Sequence, residues 1–210
     1  MDTVNLRTII AAAERHEQQT GELSLLLRGR LHSLHGAITP RASDLLDFVR
    51  RYVARLPDIL DAMRDLGARQ GTEDSVEDVI DSCCELFARP PELLRGHQGL
   101  NGAMNSAYMA HRLIEETSDH HQVSRGQALL PLDSTRSNLV IHQLIGESFA
   151  NQLDSAVSLL TSELISRWPP PSPATGGEPS PTLLTELLQR WPCLQDSLAG
   201  DLFQLPASIH

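Results

Sequence analysis

The sequence predicts an all-α protein: a helical bundle of five to seven helices, then a Pro-rich linker and a short C-terminal helical tail. Three observations predict it. Apolar residues recur every three or four positions through nearly every segment of the first 168 residues, and no run of alternating residues marks a strand. Aromatic residues make up only 4% of a chain that is 40% hydrophobic. A core so poor in rings rests on Leu, Ile, Val and Ala, which suits helix-on-helix packing better than β-sandwiches.

Residues 3 to 35 read as helix, in one piece or two meeting near Gly21, with Leu6, Ile9, Ile10 and Ala13, then Leu23, Leu26, Leu27, Leu31 and Leu34, as the apolar positions. Thr39-Pro40 opens the next element, in which Leu45, Val49, Tyr52 and Leu56 lie opposite Asp44, Asp47, Arg51 and Arg55. Pro57 either kinks this helix or starts another at its first turn. Ile59, Met63 and Leu66 carry the stripe to Gly67 and Gly71. Thr72 or Ser75 caps the following helix, whose stripe is Val76, Val79 or Ile80, Cys83 and Phe87, and Pro90-Pro91 ends it. A helix from about 100 to 120 comes next, then a loop from 122 to 133. The longest predicted helix runs from 134 to 168, about 50 Å if continuous.

After Trp168 the composition turns to Pro, Ser and Gly. The predicted organisation is therefore a bundle over residues 1–168, a linker over 169–181 and an amphipathic tail over 182–210. The tail carries Leu183, Leu184, Leu187, Leu188, Trp191, Leu194, Leu198, Leu202 and Phe203. That is too much apolar surface to leave in water and too short a segment to fold alone. It is expected to dock on its own bundle, on a second subunit or on a partner, and symmetric exchange between two copies would make a homodimer.

All 17 basic residues are Arg. Without Lys there is no pyridoxal phosphate Schiff base and no P-loop nucleotide site with its phosphate-binding amine. A formal net charge of −10 opposes attraction to phosphate backbones and acidic membranes, so neither nucleic acid nor membrane is expected as a partner. No signal peptide or spanning segment is expected. Three cysteines, two adjacent as Cys83-Cys84, fit neither a disulfide framework nor paired zinc knuckles, and both of these fall at or beside core positions. A reducing, cytoplasmic location is the expectation.

The densest group of unusual polar residues lies between 105 and 154. One helix sets His111 in the stripe of Leu100, Met104 and Ile114, with Glu115 and Asp119 four and eight positions beyond it. Another sets His142 among Leu139, Ile145, Phe149 and Leu153, near Asn138, Glu147 and Asn151. Imidazoles on apolar stripes need partners, because an unpaired polar group is costly to bury. Two readings compete. In one, His111 and His142 are core histidines satisfied across helix interfaces by Glu or Asn. In the other they form an acid/base or metal site, with His111, Glu115 and His142 as ligands for zinc, iron or manganese. The paired Glu-x-x-His motifs of di-metal bundles are absent, as is His-Glu-x-x-His. Asp119-His120-His121 matches the triplet of a phosphoesterase family in three letters, but that motif ends a strand and this one ends a predicted helix.

Nine acidic residues between Asp58 and Glu85 face only Arg64 and Arg69, while residues 25–56 hold six arginines and two aspartates. These are either solvated faces or surfaces for charge-complementary docking. The function expected is a non-enzymatic interaction or regulatory protein that binds itself and another protein. The alternative is a metal- or small-ligand-dependent enzyme with its site around His111 and His142.

Overall fold

The computed structural model describes residues 3–30 and 41–169. Among them are seven α-helices and no strand: α1 (Thr3–Thr20), α2 (Glu22–Arg30), α3 (Ala42–Gln70), α4 (Glu73–Ala88), α5 (Gly99–Arg125), α6 (Thr135–Ile145) and α7 (Glu147–Arg167), with a 3-10 turn at Glu92–Leu94 between α4 and α5. No helix of the described residues is long and apolar enough to cross a membrane. The linker and tail predicted over 169–210 lie outside the described residues, apart from Pro169.

α1 buries Leu6, Ile10, Ala13 and Glu17, one residue per turn. A carboxylate ends this stripe because the chain turns there. Gly21 takes φ 64°, the left-handed region that favours glycine, and its N–H donates to the Glu17 carbonyl at 2.8 Å. The Glu17 carboxylate then accepts from the Leu23 and Ser24 N–H groups at 2.9 and 3.0 Å, so it caps α2 from the preceding helix. Glu17→Ala leaves both donors without that acceptor and should lower stability by about 1–2 kcal/mol. Urea unfolding measures this, and a variant within about 0.3 kcal/mol of wild type would show that water replaces the cap without loss.

α3 is a single helix that continues through Pro57, burying Leu45, Phe48, Val49, Tyr52, Val53, Leu56, Leu60 and Met63 along one side. Gly71 stops it at φ 68°. α4 follows, with Val76, Val79, Ile80, Cys83, Cys84 and Phe87 inward, and both thiols are fully buried. Burial raises the Cys83 pKa, which keeps it protonated. Part of the acidic run is neutralised within the chain. Arg7 bonds Asp58 at 2.7 Å and Asp61 at 2.9 Å, and Arg64 bonds Glu77 at 2.6 Å.

α5 packs against all six other helices. A helix in that position buries most of its circumference, leaving a polar side at Arg112, Glu115, Glu116, Asp119 and His120, and its inward residues include Asn105, Ser106, His111, Thr117, Ser118 and His121 as well as the apolar set. Their hydroxyls bond backbone carbonyls: Ser106 that of Leu86 at 3.0 Å, Ser118 that of Leu130 at 2.9 Å. The helix also runs five residues beyond His120, to Arg125.

The single helix expected over 134–168 is two. Gly146 adopts φ 97°, ψ 135°, outside any helical conformation, and separates α6 from α7. Arg30 stabilises the break: its Nη1 donates to the carbonyls of Leu144 and Ile145 at the end of α6. The break also rotates the expected stripe. Val140, Ile141, Leu144 and Ile145 are buried, whereas Leu139 is 46% exposed.

Candidate functional site

A cleft of about 250 Å³, with polar and charged side chains and Leu139 on its walls, opens between α5, α6 and α7. α5 contributes Tyr108, Arg112 and Glu115, spaced to share one face of the helix; α6 contributes Thr135, Asn138 and His142; α7 contributes Asp154. Arg112 is the hub. It bonds Glu115 at 2.6 Å, Glu116 at 3.3 Å and Asp154 at 3.3 Å. Burial lowers the Arg112 pKa, but the attraction of Glu115 and Asp154 outweighs burial and raises it overall. Two carboxylates of the lining, Glu115 and Asp154, to one guanidinium leave the cleft with excess negative charge.

Tyr108 closes one end by donating its hydroxyl to Asp154 at 2.8 Å, and burial together with that bond raises its pKa. His142 stands half-buried on the wall, its Nε2 3.2 Å from Asn151 Oδ1 and 3.8 Å from Asp154 Oδ2. Asn138 joins the cleft to the core. It accepts from the Tyr52 hydroxyl at 2.8 Å and donates to Glu115 at 2.9 Å and to Ser134 at 3.1 Å.

Of the predicted site residues, Glu115, Asn138 and His142 meet in this cleft. His111 does not join them: it is 3% exposed, inside the core, and its Nε2–H donates to the Tyr52 carbonyl at 3.4 Å. Its ring lies over that of Tyr52 with centroids 4.3 Å apart. Burial lowers the His111 pKa from 6.5 to about 4 against the weak opposing effect of that bond, so the imidazole is neutral. Asp119 and Glu147 are exposed and outside the cleft. The metal set of His111, Glu115 and His142 is therefore not assembled. Among the described residues no three His, Cys, Asp or Glu side chains are grouped to hold a metal ion.

His121, last of the Asp119-His120-His121 triplet, is 2% exposed. Its Nδ1–H donates to the Gln127 carbonyl at 2.6 Å, tying down the α5–α6 loop, and burial lowers its pKa. Sequence reasoning missed Tyr52, Arg112 and Asp154. Arg112 carried a signal, because Glu115 and Glu116 three and four positions on are within its reach along a helix. Tyr52 and Asp154 belong to other helices, and nothing local announces their partners.

A second concavity, a groove of about 440 Å³, runs between α4 and α7 over α5. Leu86 and Met109 form its floor, Ala156 and Leu160 one wall, and Asp81, Glu85 and Arg89 the opposite rim. Leu159, beside it on α7, is 74% exposed.

Comparison with known proteins gives no match: no family model fits the chain, and no curated protein or solved structure is significantly similar to it. The fold and these two concavities define its class, an all-α bundle.

Proposed function

We propose that this chain is a non-enzymatic interaction protein that takes up an amphipathic helix in the groove between α4 and α7, self-associates as a homodimer, and works by binding another protein. The groove itself carries the reading. Its floor and wall are apolar, its rim is charged, and its width is set by two helices, which is the arrangement that accepts the stripe of a third. The net charge of −10 supports a protein partner over nucleic acid or an acidic membrane. The absence of Lys supports a role without amine chemistry, and the adjacent buried thiols support a reducing, cytoplasmic setting.

Light scattering of the full chain over a hundredfold range of concentration tests this. The mass should rise from one chain toward two, and Leu160→Arg, which puts a cation on the groove wall, should weaken the association by about tenfold or more. A wild-type mass that stays at one chain even at about millimolar protein, or an association that Leu160→Arg leaves unchanged, rejects the groove as the interface.

The cleft favours a second reading, a small-ligand-dependent enzyme, now centred on Arg112, His142 and Asp154 rather than on His111. Thermal unfolding of the purified full chain against a panel of small organic ions tests it: a compound that raises the melting temperature of the wild type but not of His142→Ala would replace the first reading.

A further inference from the structure

Resting on the reading of the groove as a helix-binding surface, we propose that its resident occupant is the chain's own segment 182–191, so that the protein carries an internal competitor for its partner.

The described chain ends beyond one end of this groove, on the α4 face that runs into it. The Trp168 indole N–H donates to Asp78 Oδ2 at 3.1 Å, and Arg125 Nη2 donates to the Pro169 carbonyl at 2.7 Å. Asp78 is no incidental anchor, because Asp78, Ser82, Glu85 and Arg89 follow one another at helical spacing along α4, and the last three line the groove. Trp168 therefore sits on the face of α4 that becomes the groove rim one turn further on.

Length fits as well. The rim from Asp81 to Arg89 extends about 12 Å along α4, and a ten-residue helix is about 15 Å long. Within 182–191, Leu184, Leu187, Leu188 and Trp191 fall at i, i+3, i+4 and i+7, one apolar stripe to set against Leu86, Met109, Ala156 and Leu160. To enter the groove from Trp168, the chain must reverse. The 13 residues 169–181 place Gly176-Gly177 near their middle, between one Pro-rich arm and another. Gly supplies the backbone freedom for a reversal, and arms of about 22 Å out (169–175) and about 12 Å back (178–181) bring residue 182 to about 10 Å from Trp168, within reach of the near end of the groove.

The same chain is favoured over a second copy by concentration. A short tether holds the segment at an effective concentration in the millimolar range, above that of a second copy in dilute solution. A partner helix, or the groove of a second copy, gains access when the segment leaves. The homodimer belongs to that open state.

Cysteine pairing in the full chain tests the assignment. In a Cys193→Ser background, Leu160→Cys on the groove wall is combined with Leu187→Cys. Cys83 and Cys84 are fully buried and do not compete. The control replaces Leu160→Cys with Val4→Cys, at a position on α1 that is 62% exposed. Mild oxidation of dilute protein should close a disulfide within one chain at least about tenfold faster for the Leu160→Cys pair than for the control, since only a docked segment raises the local concentration at one site. Ala156→Arg should remove that advantage. Equal rates for the two pairs, or a disulfide that joins two chains, overturns the proposal. If light scattering still shows self-association that Leu160→Arg weakens, the groove reading stands and only its internal occupant is rejected. If that association is also missing, both fall.

Discussion

Acidification from pH 7 to pH 4 should destabilise the bundle by about 3 kcal/mol through His111 alone. In the unfolded chain this imidazole takes up a proton near its ordinary pKa of 6.5, whereas in the fold burial holds the value at about 4. Between those two pH values the unfolded state binds the proton and the native state does not, so stability falls as pH falls. The contribution is complete above 6.5 and has been lost once pH drops below about 4. Carboxylates titrate over part of the same range, so the wild-type curve alone does not isolate His111. Urea unfolding of wild type and His111→Leu at several pH values does. The variant loses the ring packed at a tilt against Tyr52 and starts less stable, but its stability should fall less steeply on acidification. Parallel curves for the two proteins would mean that the protonated imidazole is tolerated in the core, and would refute a buried neutral His111.

Asn138→Ala should cost about 3 kcal/mol, because one side chain serves three partners at the junction of core and cleft. The Tyr52 hydroxyl, on a fully buried residue, loses its acceptor, and Glu115 and Ser134 lose a donor. Tyr52→Phe should cost less, about 1–2 kcal/mol, since it removes one bond and leaves one oxygen of Asn138 unpaired. The double variant should then be less damaged than the two losses summed, by about 1 kcal/mol, since Asn138→Ala strands the Tyr52 hydroxyl and Tyr52→Phe removes the stranded group. Chemical denaturation of the four proteins completes this cycle. Additive losses would show that Tyr52 and Asn138 do not act together. The cycle bears on the site as well as on the fold: Asn138 orients Glu115, and Glu115 orients Arg112, so a loosened Asn138 unsettles the charges that shape the cleft.

Much of the fold was legible because amphipathic periodicity is local. Leu45, Val49, Tyr52 and Leu56 identify their own inward face whatever they pack against, and Gly21 and Gly71 stop helices through backbone freedom that needs no neighbour. Gly146 was equally open to reading, yet the apolar positions on either side hid it by continuing the period across the break. Leu139 was drawn into the wrong stripe as a result.

The candidate site was legible only in part, and His111 and His142 show why. Both are imidazoles on apolar stripes, indistinguishable by spacing. The amino-acid sequence by itself determined that the chain is helical, that all 17 of its basic side chains are Arg with no Lys among them, that its net charge is −10, and that unusual polar residues gather between 105 and 154. Only the tertiary structure decided that α5 is enclosed by six helices, which buries His111 as a neutral core group and turns the Arg112 face toward α6 and α7 as a charged cleft. The physical reason is that helix formation depends on residues three and four positions apart, whereas the burial and partners of a polar group depend on chains that approach from elsewhere, as Tyr52 and Asp154 do.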